Sequence, residues 1–184
     1  MTAQAEEWLI LDGKRVAMAF CPPLPPDKSL LYQTTNECIV TKDERGVTQI
    51  RSFEHWTDAR GKKHSATGGL QTSACWRGYQ GTWELKAKLF YLVNISGCFR
   101  PSFEKPILAD WFTGVLRIKS GRVLQYVHMG YGTVTEFETH IAIEQGREMG
   151  RRSIDNTGKS YDRVELGRKN LPGRENFFPG DSEI

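Results

Sequence analysis

The chain has 184 residues, 11% of them aromatic, and 25 Lys and Arg stand against 22 Asp and Glu for a net charge of +3. That length suits one domain burying roughly 70% of its unfolded surface, and the aromatic content argues against a disordered segment. Acids dilute the bases nearly one for one, so there is no basic stripe for nucleic acid, and no apolar run reaches membrane-span length.

The amino-terminal stretch MTAQAEEWLILDGK carries acids where an export signal needs bases, which points to the cytoplasm. Trp8–Leu11 and Val16–Phe20 flank Asp12-Gly13, a strong hairpin signal. The proline-rich run Cys21–Pro26 predicts an extended crossover at a sheet edge, in preference to an SH3-type ligand. Asp27–Asn36 has room for one helical turn. Cys38–Lys42 and Val47–Trp56 read as strands joined by a turn at Asp43–Gly46, and Thr57–Gly69, with Arg60, Lys62, Lys63 and His64, reads as a polar loop.

Cys75–Leu85 is an aromatic strand punctuated by Gly78 and Gly81, with a bend predicted at one of them. Lys88–Ile95 is apolar on both faces, as in a central strand. Gly97–Lys105 reads as a loop. After the corner Ala109-Asp110-Trp111-Phe112 come three β-type runs, Thr113–Ile118, Val123–His128 and Thr133–Glu144, with glycine at each reversal. In the last run Phe137, Thr139, Ile141 and Ile143 alternate with Glu136, Glu138, His140 and Glu144, the period of a half-buried strand. Residues 146–184 are polar and glycine-rich with sparse apolar residues; Val164 and Leu166 fit one short strand and Phe177-Phe178-Pro179 a docked anchor. The expected architecture is mainly β, an antiparallel β-sandwich or a curved open barrel over 1–145, followed by a polar extension over 146–184 that wraps the body or stays partly flexible.

Trp76-Arg77-Gly78-Tyr79, Thr82-Trp83-Glu84-Leu85, Leu89–Leu92, Ala109–Ile118 and Leu124–Thr133 together resemble a pattern of small bacterial proteins: WRGY, TWEI, LYL, ADWF(S/T)GxLRI and LxYVHMGYG. The resemblance spans about Ser73–Gly146. It implies an accessory protein of the immunity type, associated with polymorphic-toxin loci. The chain departs from that pattern in its Thr41–Leu70 segment, in Lys119 where proline is common, and in the long stretch after Gly146.

Chemistry is sparsely signalled. Tyr126 and His128 share a strand face, and Asp110 is in a position to orient the imidazole for general acid–base work, with Tyr131 nearby. A buried His–Tyr–Asp network closing a sheet explains the same residues without catalysis, and no serine or cysteine stands in a nucleophile motif. The four cysteines, Cys21, Cys38, Cys75 and Cys98, lack C-x-x-C spacing and read as reduced core residues; His55, His64, His128 and His140 lack ligand spacing, so no metal or other cofactor is expected.

The leading expectation is therefore a non-enzymatic inhibitor that occludes a cognate toxin domain. Its contact residues are expected to be Glu136, Glu138 and Glu144, against a basic cleft, together with Arg60, Lys62 and Lys63. The alternatives are a β-barrel binder of a small apolar ligand and, third, a hydrolase-like enzyme using His128 and Asp110.

Overall fold

A computed structural model describes residues 4–42, 48–67, 75, 77–128 and 130–159. In chain order the strands are β1 (Glu7–Leu11), β2 (Lys14–Met18), β3 (Leu31–Gln33), β4 (Thr35–Lys42), β5 (Thr48–Thr57), β6 (Lys63–Thr67), β7 (Tyr79–Lys86), β8 (Leu89–Gly97), β9 (Phe99–Pro101), β10 (Ile107–Leu108), β11 (Gly114–Gln125), β12 (Val134–Glu144) and β13 (Arg147–Asp155). A single 3-10 turn, Lys28–Leu30, is capped by Asp27, whose side chain accepts from Ser29 N at 2.9 Å.

Of the two β architectures expected, the chain adopts the barrel. The main sheet runs β8-β13-β12-β11-β2-β1-β7 and closes where β7 pairs with β8; β10 is added beside β8. Two smaller sheets, β3-β9 and β4-β5-β6, are built from the segments inserted between β2 and β7 and after β8. Closure is narrow at two seams, where β2 meets β11 at Met18 and Ile118 and β13 meets β8 at Arg147 and Leu89. Backbone bonds reinforce both, from Ala19 N to Arg117 O at 2.8 Å and from Phe90 N to Gly146 O at 2.8 Å. The barrel is not wholly antiparallel. β1 pairs with β7 in parallel, Trp8 opposite Thr82 through Leu11 opposite Leu85, because a long crossover separates them.

Local chemistry explains most of the strand boundaries. Asp12 and Gly13 both have positive φ, 51° and 75°, the geometry that matches the twist of a two-residue hairpin. Gln145 and Gly146 repeat it at 46° and 73°. The boundary drawn at 145/146 therefore falls inside a hairpin: residues 147–155 are β13, paired with β12 from Glu144–Arg147 to Phe137–Asp155. No residue of β13 is fully buried, so its sequence reads as polar although the barrel needs it. Residues 160–184, with the strand expected at Val164 and Leu166 and the anchor expected at Phe177-Phe178, lie outside the described residues, as does the turn expected at Asp43–Gly46.

Three further expectations change. The runs Thr113–Ile118 and Val123–His128 are not separate strands but mostly one, β11, and Gly121 is not a reversal. It sits in a β-bulge, where Ser120 pairs with Phe137 and Val123 with Thr135. One extra residue bends β11 without turning it. The loop expected at Thr57–Gly69 contains β6, and that at Gly97–Lys105 contains β9. β6 is short and polar and β9 is only three residues long, so neither shows the apolar alternation that marks a strand against a large core.

The barrel interior is filled. Trp83 stacks on Phe90 at 5.0 Å, Phe90 meets Phe112 at 5.5 Å, and Phe112 meets Phe20 at 5.7 Å. Leu9, Met18, Leu92, Leu116, Ile141 and Ile143 complete the core. Each such side chain contributes about 1.5–3 kcal/mol by leaving water. The Cys21–Pro26 strap crosses the fold in extended form, with Pro22 buried and Trp111 Nε1 donating to Pro23 O at 3.0 Å.

Candidate functional site

The densest set of interacting polar groups surrounds Glu7, a fully buried carboxylate at the start of β1. Gly81 makes room for it, since a Cβ there would collide with the Glu7 carboxylate and the Trp83 indole. The Gly81 backbone N–H and Trp83 Nε1, the latter at 3.1 Å, both donate to Glu7 Oε2. The Arg77 guanidinium lies 2.5 Å from Oε1, a charge contact without the alignment of a hydrogen bond. Arg77 also donates to the Tyr131 hydroxyl and to Ala5 O, each at 2.8 Å. Gln80 Nε2 donates to Glu6 O at 2.6 Å and Gln4 N to Gly130 O at 3.0 Å, so the amino-terminal strap is tied down along its length.

Burial raises the Glu7 pKa, and the Arg77 charge and the bonds from Trp83 and Gly81 oppose that rise. Burial, with the Glu7 charge added, pushes the Cys21 thiol up to about 11, and burial pushes the Tyr131 phenol up to about 12. Cys21, 3.6 Å from the Tyr79 hydroxyl, is thus a neutral thiol at pH 7 and a poor nucleophile. The cluster ties the amino-terminal strap, β1, β7 and the loop after β11 together. The sequence reading missed it because Glu7 and Cys21 stand far from their partners in the chain. Its one visible signal is that the resemblance-bearing runs supply Arg77, Trp83 and Tyr131.

The residues expected to form an acid–base or closing network are dispersed. Tyr126 and His128 do meet, hydroxyl to Nδ1 at 2.9 Å, but beyond the end of β11 and both exposed. Asp110 is exposed at its corner, and no hydrogen bond or ion pair joins it to His128. Tyr131 belongs to the Arg77 cluster. The buried His–Tyr–Asp arrangement is thus corrected: the loop after β11 leads Tyr126 and His128 away from the corner that holds Asp110.

The carboxylates of β12 are mostly engaged by this chain's own cations. Glu136 accepts from Arg122 N at 2.9 Å and Arg122 Nε at 2.7 Å. Glu138 is buried, 3.0 Å from both Arg117 and His140. Burial alone would raise its pKa, but the bond from His140 and the Arg117 charge hold it down at about 2. His140, which shares its strand face with Glu138, is partly buried against it. The register explains this, since Arg117 lies opposite His140 and Lys119 opposite Glu138, so bases and acids share one face. Glu144 alone of the three remains exposed.

Arg60, Lys62 and Lys63 lie on the β5–β6 hairpin, all exposed. Asp58 builds its turn, accepting from Arg60 N and Lys62 N at 2.9 Å each and facing His64 Nε2 at 2.9 Å. Ala59 N donates to the Tyr32 hydroxyl at 3.2 Å. Beneath the tip Trp56 and His64 stack across the strands at 5.3 Å, and Arg100, paired with buried Glu54, lies 5.0 Å from the Trp56 ring. A groove of about 480 Å³ runs beside His55, Trp56, Lys63 and His64.

The other displayed surface, at the β11–β12 end, sets large apolar and aromatic side chains beside Arg122. On β11 the five residues Ser120–Leu124 are all exposed. Val123 is 58% accessible, Leu124 42%, Phe137 44% and Tyr126 65%. Among the described residues no helix is long and apolar enough to cross a membrane, and no group of three His, Cys, Asp or Glu is placed to hold a metal ion. Comparison with protein-family models, curated proteins and solved structures finds no match.

Proposed function

We propose that this chain is a non-enzymatic binding protein of the immunity type, which neutralises a cognate toxin domain by covering its active site. The observation that carries the reading is the apolar rim at the β11–β12 end, where Val123, Leu124, Tyr126 and Phe137 are displayed on a barrel whose interior is already full. Large exposed apolar and aromatic side chains on a rigid scaffold mark association surfaces, and tyrosine is favoured at their centres. The chain's buried ionisable groups are engaged in internal ties such as Glu7–Arg77 and Glu138–Arg117, an economy suited to a scaffold. A core packed with Trp83, Phe90 and Phe112 gives the small-ligand alternative less support.

The test is to mix the purified chain with a toxin domain encoded beside its gene and to measure both complex formation and toxin activity. One-to-one inhibition is expected. Tyr126→Ala combined with Phe137→Ala should weaken it by about tenfold or more while leaving the thermal transition in place. Failure to form a complex, or inhibition indifferent to the rim variant, would refute the reading as stated.

A further inference from the structure

The geometry points to the β5–β6 hairpin as a preformed basic finger whose partner is an acidic protein surface. This rests on the binding reading above and adds the sign of the partner's charge. The turn sequence Asp58-Ala59-Arg60-Gly61-Lys62-Lys63 holds one acid and three bases. The acid is turned inward, its carboxylate taken by two backbone N–H groups and His64, so it does not pair with the bases outside. Arg60, Lys62 and Lys63 are exposed and make no ion pair among the described residues.

The finger is also held still. Gly61, at φ 79°, completes the turn; Tyr32 takes the Ala59 N–H; the Trp56–His64 stack braces the two strands; and Arg100 on Glu54 fixes the sheet to β9. A turn held in this way loses little backbone freedom on association, and the charge it displays adds to encounter rate. On β12, by contrast, Glu136 and Glu138 are already neutralised by Arg122 and Arg117. The charge left free to recruit a partner at the finger is positive.

A protein patch fits this finger better than a nucleic acid. Arg60 to Lys63 spans at most about 13 Å of extended chain, and among the described residues no second basic element continues it along the groove. There the histidines face carboxylates instead, His64 on Asp58 and His55 on Glu37 at 3.2 Å, and a phosphate chain following the groove would meet Glu37. A compact acidic cluster needs only the tip.

The experiment uses the full chain, with a fluorescent poly-L-glutamate peptide and a single-stranded oligonucleotide of equal charge as probes, at about 0.15 M salt. Two variants carry the same change in net charge: Arg60→Glu, Lys62→Glu and Lys63→Glu together, and Lys28→Glu, Lys86→Glu and Lys105→Glu together. The finger variant is expected to lose peptide binding by about tenfold while the second loses less than about twofold. The alanine triple at the finger should fall between. Equal losses in both reversals would reduce the effect to net charge and overturn the proposal, as would tighter binding of the oligonucleotide than of the peptide. A toxin domain inhibited equally by wild type and finger variant would remove the finger while sparing the inhibitor reading. Finger-dependent peptide binding without toxin inhibition would support the finger and sink the inhibitor.

Discussion

Arg77 and Tyr131, fifty-four positions apart, meet guanidinium to hydroxyl at 2.8 Å beside the buried carboxylate of Glu7. This contact joins the strap before β1, the turn before β7 and the loop after β11 into one charged knot. Arg77→Ala should cost about 3–5 kcal/mol, because it strands the Glu7 charge where water cannot reach it. Glu7→Gln should cost much less, since an amide can still accept from Gly81 and Trp83. Urea unfolding of the two variants decides the matter, and equal losses would show that the knot is packing rather than charge.

Glu138 sets an acid limb on stability. Its folded pKa, about 2, lies below the ordinary 4.5, so the unfolded chain binds more protons between those values. The stability it contributes is complete above pH 4.5 and is lost as pH falls towards 2. The loss should be on the order of 1–3 kcal/mol. Melting curves over that interval should steepen in wild type relative to Glu138→Gln, and superimposable profiles would refute the assignment. For the same reason Glu138→Lys is a test of the fold and not of a partner, since it would set a second cation against Arg117.

Two glycines with positive φ should respond very differently to alanine. At Gly97, φ 112°, an added Cβ would strike the Gly78 carbonyl and the Tyr79 backbone, neither of which can turn aside. At Gly130, φ 52°, it would meet nothing within 4 Å. Gly130→Ala should cost about 1 kcal/mol and Gly97→Ala at least about 3 kcal/mol. Thermal denaturation reads both; comparable costs would mean that backbone angle, not collision, dominates at Gly97.

The β7–β8 hairpin turns through Ala87 and Lys88, both at positive φ, 51° and 64°, without a glycine. The Asp12-Gly13 hairpin achieves the same turn with the residues it favours. Ala87→Asn with Lys88→Gly should therefore stabilise the chain by about 1 kcal/mol, raising its thermal midpoint. A lowered midpoint would show that Lys88 contributes through its side chain.

What could be read from the residues follows where burial follows sequence. The β1–β2 hairpin, β8 and the second half of β12 were legible because Asp12-Gly13 marks a turn, because β8 is apolar on both faces and because Ile141 and Ile143 face a large core; nearer its start β12 departs from the expected alternation, with Phe137 exposed and Glu138 buried. β13 was not legible, since its side chains lie on the surface and its place is fixed by register with β12. Gly121 was misleading because a glycine with positive φ serves a bulge as well as a turn. The candidate surfaces were half legible. Arg60, Lys62 and Lys63 announce an exposed tip, whereas the engagement of Glu136 and Glu138 depends on which cations a neighbouring strand sets opposite them, information that no local pattern contains.

The parallel pairing of β1 with β7 fixes an order of events in time. Trp8 cannot find Thr82 until that residue has been synthesised, and the β8–β13 seam waits for Arg147. The β1–β2 hairpin therefore carries one unfinished edge until Thr82–Leu85 have been made and another until Ile118 has, with Leu9 and Met18 unsheltered. Such distant pairings make for folding in milliseconds to seconds instead of microseconds. They also make the nascent chain, more than the finished molecule, the form most in need of a chaperone. Stalled-ribosome complexes truncated before and after residue 155 should differ sharply in protease resistance if closure is the last step.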